Sequence, residues 1–156
     1  MTQPLVTTVD AGPRAVSRRV TVHAPAAQLF AMAANPHRHP ELDGSGTVRD
    51  TPVRGPEVLG EGARFSVGMK QYGVPYSITS TVTEFDDGRV VTWRHPMGHS
   101  WRWEFKEVSP GLTEVTETFD YAGSRSPRLL EIFGQPKANA AGITKTLQKL
   151  AERHHA

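Results

Sequence analysis

Residues 100–108, "SWRWEFKEV", put Trp101, Trp103 and Phe105 on every second position, with Arg102, Glu104 and Lys106 between them. A period of two is the repeat of a β-strand, whose successive side chains leave on opposite faces. A strand that is oily on one side and charged on the other belongs to a sheet with one covered face and one wet face, which is the habit of antiparallel sheets. The three rings then touch either a packed core or a molecule that the protein carries.

The neighbouring segments repeat the pattern. Gly73-Val74, Asp87-Gly88, Pro96-Met97-Gly98 and Ser109-Pro110-Gly111 punctuate runs rich in Val, Thr, Tyr, Phe and Trp, as hairpin turns do. An antiparallel meander can be tested within the sequence, because residues opposite one another share a face. A turn at 96–98 sets Trp93 opposite Trp101 and Val91 opposite Trp103, and one at 109–111 sets Phe105 opposite Val115 and Trp101 opposite Phe119. A turn at 87 and 88 sets Val82 opposite Trp93, and one at 73 and 74 sets Met69 opposite Ile78. The inner face so defined takes Phe65, Val67, Met69, Tyr76, Ile78 and Val82 from the first half of the meander. From the second half it takes Val91, Trp93, Trp101, Trp103, Phe105, Val115, Phe119 and Tyr121, while Thr, Ser, Lys, Arg and Glu fill the other side.

Each large side chain left in water forgoes about 1.5 to 3 kcal/mol of burial, so the inner face needs a cover. After Ser126-Pro127, a cap and first turn, Leu129, Phe133, Pro136, Ala140, Ile143, Leu147 and Leu150 recur at alternating spacings of four and three. This predicts a long amphipathic C-terminal helix, broken or kinked around Gly134-Pro136 and straight from 137 to 153. At the other end, Pro4, Gly12 and Pro13 bracket only a short apolar run, so residues 1–14 read as a flexible arm before a domain at 15–156. Val16, Arg18, Val20 and Val22 share one parity of a strand. Pro25 opens a short helix that buries Leu29, Phe30 and Ala33 and stops at Asn35-Pro36, and "HRHPELDG" forms a further turn or brief helix.

Composition narrows the class. A chain of 156 residues, 37% hydrophobic, suits one domain with a respectable core. It has no cysteine, no stretch near the roughly 18 apolar residues that span a bilayer, and no basic, apolar leader at its start. The expectation is a soluble, cytoplasmic protein without stable membrane insertion, either monomer or homodimer. Residues 121–156 carry six Lys/Arg against two acids, but the cations are spread singly without aromatic interleaving, which describes a solvated helix and not a nucleic-acid surface.

The order strand, two short helices, six further antiparallel strands and a long terminal helix resembles the START-related helix-grip superfamily (SRPBCC) of polyketide cyclases, dehydrases and lipid-transfer proteins. The resemblance rests on "VTVHAPAAQLFAMAANP" at 20–36, "LGEGARF" at 59–65, "VTEFDDGRVVTWR" at 82–94, "TEVTETFDY" at 113–121 and the terminal helix, and covers nearly all of 15–153. It implies an α+β helix-grip fold: a seven-stranded curved antiparallel sheet wrapped around a long C-terminal helix, with two short helices between strands 1 and 2. It also implies a cavity between sheet and helix that accepts an apolar or aromatic molecule. The residues lead the same way, because a helix with Ala140 at its middle is a thin filler for so many rings.

Polar residues on the inner parity mark candidate sites, since buried polar groups need partners. They are Gln71, Ser80, His95, His99 and Glu117. Ser80, His95, His99 and Tyr121 fall in one row beside the 96–98 turn, either as a hydrogen-bonding rung at a cavity end or as strand ends in solvent. Glu117 lies opposite Trp103, roughly 13 Å from that row, too far for a direct acid–base dyad. It could act alone as acid or base, pair with an arginine, or be turned outward by a bulge. Met69, Tyr76, Trp93, Trp101, Trp103 and Phe119 from the sheet, with Phe133 and Ile143 from the helix, complete the candidate ligand-binding set.

No metal or cofactor is implied. His95 with His99, and His37 with His39, each lack a third ligand; "GEGARF" lacks the lysine of a phosphate loop; no Gly-x-Ser-x-Gly or cysteine nucleophile exists. Three readings stay open. One is a carrier of a hydrophobic small molecule, lipid or polyketide-like aromatic. Another is a cyclase or dehydratase using Glu117 or His95 as acid or base. The last is a domain whose cavity is collapsed.

Overall fold

The structure, a computed structural model, describes residues 4–42, 53–71 and 73–154, and of residues 69–71 the backbone alone. The strands are β1 Thr7–Val9, β2 Ala15–Val22, β3 Val53–Arg54, β4 Arg64–Gln71, β5 Val74–Asp86, β6 Val90–Arg94, β7 Ser100–Ser109 and β8 Leu112–Asp120. Between β2 and β3 come α1 Ala26–Ala33, a 3-10 turn at Pro36–Arg38 and α2 His39–Leu42; α3 Pro127–Ile132 and α4 Gln135–Arg153 end the chain.

The strands form one antiparallel sheet in the order β1-β2-β8-β7-β6-β5-β4-β3. Among the described residues it has eight strands, not seven. The extra strand comes from the segment read as a flexible arm: Thr7, Thr8 and Val9 pair with Arg19, Arg18 and Ser17. Three residues with a single apolar side chain are too short a run for periodicity to reveal, and the ladder of β2 supplies what their own pattern lacks.

The meander follows the aromatic pairing. Trp93 faces Trp101, Val91 faces Trp103, and Trp101 faces Phe119. At β4–β5 the register is Met69 opposite Tyr76 and Val67 opposite Ile78, so the expected Met69–Ile78 pair is wrong by two residues. A slip of two returns every side chain to the same face, which is why the parity of Val67 and Ile78 was unaffected. Elsewhere two departures cancel. The β5–β6 connection is longer by one residue than a two-residue turn, and a bulge between Val82 and Glu84 absorbs it, leaving Val82 opposite Trp93 but bringing Phe85 opposite Val91. Phe85 thereby turns inward and meets Phe30 of α1 edge-on, with ring centroids 5.5 Å apart.

Glu107, near the end of β7, accepts a 2.7 Å hydrogen bond from the Ala26 amide and so satisfies a free donor in the first turn of α1. Leu29, Phe30 and Ala33 then sit buried above the sheet. The C-terminal segment is broken between Ile132 and Gln135 into two helices. Gly134 adopts φ +72°, a left-handed conformation favoured by glycine, and Pro136 sits in the first turn of α4 where no amide partner is required. α4 spans 19 residues and packs chiefly on β2 and β8, burying Ile143, Leu147, Leu150 and Ala151. It therefore lies to one side of the sheet.

At the β6–β7 turn, Gly98 has φ +102°, and a Cβ there would run into the carbonyl of Gly123. Gly111, at φ +72°, has open space around it. Gly98→Ala is thus expected to cost clearly more than the roughly 1 kcal/mol of Gly111→Ala, read as the difference in unfolding midpoint. Equal losses would show that the Gly98–Gly123 approach is slack.

Candidate functional site

Because α4 sits over β2 and β8, the faces of β4 to β7 are left partly uncovered, and a cavity of about 360 Å³ opens between them and the helix. The sheet wall carries Phe65 and Val67 of β4, Ile78 and Ser80 of β5, Trp93 of β6 with His95 just beyond it, Trp101 and Trp103 of β7, and Glu117 of β8. The helix wall carries Gln135, Ala138, Asn139, Gly142, Ile143 and Thr146. His39 and Leu42 of α2 close one end. The helix residues recur every three or four positions and form one stripe, with Ala138 and Gly142 near its middle. The room exists because those two side chains are so small.

The rings of the sheet wall hold one another in place. His39 stacks on Trp93 at 4.7 Å, and Phe65 meets both rings edge-on at 5.5 and 5.6 Å. Trp101 leans on Phe119 at 4.9 Å and Trp103 stacks with Phe105 at 6.0 Å. The His39 Nε2 donates 2.8 Å to the Ala33 carbonyl, which fixes its tautomer and orients the ring against Trp93. Rings held by other rings need little reordering when a molecule lands on them.

Of the residues singled out from sequence, Ser80, Trp93, His95, Trp101, Trp103, Glu117 and Ile143 line the cavity. Phe119 does not: it is 1% exposed and supports Trp101 from behind. His99 does not line the cavity; it stacks on His95 at 4.2 Å and packs against Phe119. Tyr121 leaves the expected rung too, since its hydroxyl donates 3.0 Å to a Glu131 carboxylate oxygen in α3. Tyr76, 41% exposed, lies toward the β4–β5 hairpin end of its strand and outside the cavity. Phe133 is 81% exposed, because α3 ends at Ile132 and the left-handed Gly134 resets the helical phase before α4 begins. The side chains of Met69 and Gln71 lie outside the described residues.

Phe65, Val67 and Ile78 had been placed on the inner face but not among the candidate site residues, and His39, Leu42, Gln135, Ala138, Asn139, Gly142 and Thr146 were missed. The helix residues lie beside the apolar ridge instead of on it, and a stripe of small and polar residues flanking such a ridge is the signal that could have found them. His37 and His39 point apart: the His37 Nε2 is 2.9 Å from the Gly55 carbonyl, whereas His39 reaches Ala33. Among the described residues no three His, Cys, Asp or Glu converge as metal ligands.

The electrostatics at the His95 end are one-sided. Burial pushes the His95 pKa down, and its Nδ1 already accepts a 3.0 Å hydrogen bond from the Met97 amide, so the neutral ring carries its proton on Nε2. Burial, helped by the neighbouring His95, lowers the His99 pKa from 6.5 to about 4. Both rings are therefore neutral at pH 7. On the wet face of the sheet, Arg102 bonds Glu84 at 3.0 Å and Glu104 at 3.3 Å, well away from the cavity.

Over residues 13–155 the sequence matches the family described as polyketide cyclase / dehydrase and lipid transport. The chain belongs to that family. The chain is 54% identical over 153 residues to the uncharacterized protein Rv0088 of Mycobacterium tuberculosis, covering 96% of this chain and 68% of the relative. The family fold recurs in the solution structure of the Polyketide_cyc-like protein Cgl2372 of Corynebacterium glutamicum, with a TM-score of 0.64, 19% identity, and 92% and 93% of the two chains covered. A crystal structure from Rhodobacter sphaeroides gives a TM-score of 0.69 at 16% identity over 96% and 97% of the chains. No helix of the described residues is long and apolar enough to cross a membrane.

The depressed His99 pKa makes acid stability a readout of this end of the site. Below pH 6.5 the unfolded chain takes up a proton that the folded chain resists, so folding stability is retained above 6.5 and lost as pH falls toward 4. His99→Phe should flatten the fall in melting temperature between pH 6.5 and about 5, before most carboxylates titrate. An unchanged slope would mean that the ring is protonated without penalty.

Proposed function

We propose that the protein binds an apolar, ring-bearing small molecule in the cavity between the sheet and α4. The observation that carries this is the pairing of walls: three braced indoles on one side and Ala138 and Gly142 receding on the other, enclosing about 360 Å³. That volume falls in the range of small-ligand sites, which are mostly apolar with a few placed polar groups. Ser80, Glu117, Asn139 and Thr146 supply those groups. The family description, which includes lipid transport, supports a carrier.

A second reading has its own support. Glu117 is 7% exposed and lines the cavity among aromatic rings, and His95 lines it as well, so a bound molecule could be handed a proton there in a cyclase or dehydratase reaction. The carrier needs only shape; the enzyme needs Glu117 or His95 to touch the reacting atoms. Under the carrier reading, Glu117→Gln alters affinity alone, whereas under the enzyme reading a bound substrate is no longer turned over.

Both readings share one requirement, an open cavity. Gly142→Leu should weaken uptake of a fluorescent apolar dye by at least about tenfold, equivalent to about 1.4 kcal/mol. The melting temperature should hold or rise, because leucine is favoured over glycine inside a helix by somewhat under 1 kcal/mol. Undiminished dye uptake in a stable Gly142→Leu protein would place the dye elsewhere.

A further inference from the structure

α3 turns to solvent a face that the packing of the domain does not account for. Leu129, Ile132 and Phe133 stand three and four positions apart, so they share one side of the helical turn, and they are between 52 and 81% exposed. The other side holds α3 to the protein. Leu130 packs against the core, and the Glu131 carboxylate accepts from the Tyr121 hydroxyl and lies 3.7 Å from Arg14. Glu131 is the only acid in residues 121–151, and it is committed to the body of the domain. Beside the apolar face, Arg14, Arg125 and Arg128 line a shallow cleft that Leu129 borders and no carboxylate lines. Among the described residues no ion pair engages Arg125 or Arg128. The Arg125 amide donates 3.0 Å to the Met97 carbonyl, which brings the exposed Met97 of the β6–β7 turn to the same corner. Just past Phe133, Gln135 and Ala138 are exposed and line the cavity, so its mouth opens next to this patch.

We infer that this corner docks the protein on an anionic lipid surface, with Leu129, Ile132 and Phe133 entering the boundary between headgroups and acyl chains and Arg125 and Arg128 resting on lipid phosphates. Bulky apolar side chains flanked by cations are the chemistry of an element that lies in the membrane plane. Anionic headgroups attract each cation near the surface, and the planar fork of a guanidinium matches phosphate oxygens. Contact of this kind is reversible and needs no spanning segment. A second copy of the chain is the wrong occupant. A two-fold interface would set the patch against itself and bring Arg125 and Arg128 up to their own counterparts, like charge against like. Docking itself is independent of the cavity; passage of an apolar guest from bilayer to cavity past Gln135 and Ala138 rests on the binding function proposed above.

The test is flotation of the protein with vesicles, made either of phosphatidylcholine alone or of an equal mixture of phosphatidylcholine and phosphatidylglycerol. Half-maximal binding should need at least about tenfold less lipid with the mixed vesicles, and added salt should erode that advantage. Ile132→Ser combined with Phe133→Ser should raise the lipid required by at least about tenfold. Arg125→Gln combined with Arg128→Gln should remove most of the preference for mixed vesicles. Val108→Ser, which alters an exposed apolar residue at the far end of β7 from the β6–β7 turn, should change nothing. All five positions are exposed, and melting curves check that each variant is folded. Equal affinity for the two vesicle types, or full binding by the serine double variant, would overturn the inference. Absence of vesicle binding would overturn it too, and dimers of the unaltered protein that the serine variant cannot form would then assign the patch to a second copy. Dye uptake without lipid reports on the cavity separately, so docking and the binding function fail independently.

Discussion

The lateral offset of α4 is the constraint from which the rest of the structure follows. The helix settles on β2 and β8, where Leu147 and Leu150 complete the core with Val20, Val22 and Val115. That placement leaves the indoles of Trp93 and Trp101 only partly covered, although they lie on the same inner face as the buried Trp103. Had the helix centred on the meander, or had Ala138 and Gly142 been leucines, the same sheet would close into an ordinary core. The cavity is therefore a product of helix position together with two small residues.

This arrangement links energetics to use. An exposed ring forgoes part of the roughly 1.5 to 3 kcal/mol that its full burial would supply. The chain tolerates the loss because Val22, Leu29, Val115, Leu147 and Leu150 form a dry core elsewhere, each at most 1% exposed. An apolar guest recovers some of what the rings lack. Their ring contacts, His39 and Phe65 with Trp93 and Phe119 with Trp101, hold the wall in place before any guest arrives.

Much of this was legible in the alternation of the central segment. Trp93, Trp101 and Phe119 could be paired across three strands because each side of the sheet has one chemical character, so any register that mixed them would be penalised. A covering C-terminal helix followed from the apolar ridge at Ile143, Leu147 and Leu150, and the helix-grip plan came from the family resemblance. What escaped was of three physical kinds. β1 is held by its partner and carries almost no pattern of its own. The bulge between Val82 and Glu84 and the extra residue in the adjoining turn compensate one another, so the outcome at Trp93 hides them while Phe85 reveals them. Phe133 fits the helical period by spacing, but a single left-handed glycine rotates it into solvent. Apart from Ile143, the cavity-lining positions on α4 were missed because a cavity is defined by side chains that do not fill it, and periodicity reports those that do.

The most direct test of the central claim is a crystal structure of the protein under xenon pressure, since xenon occupies apolar voids without needing a specific partner. Helix offset and small residues at 138 and 142 predict xenon between the indoles of Trp93 and Trp101 and the Ala138–Gly142 stretch of α4. Indole rings seated against that stretch, with no xenon between them, would contradict the account.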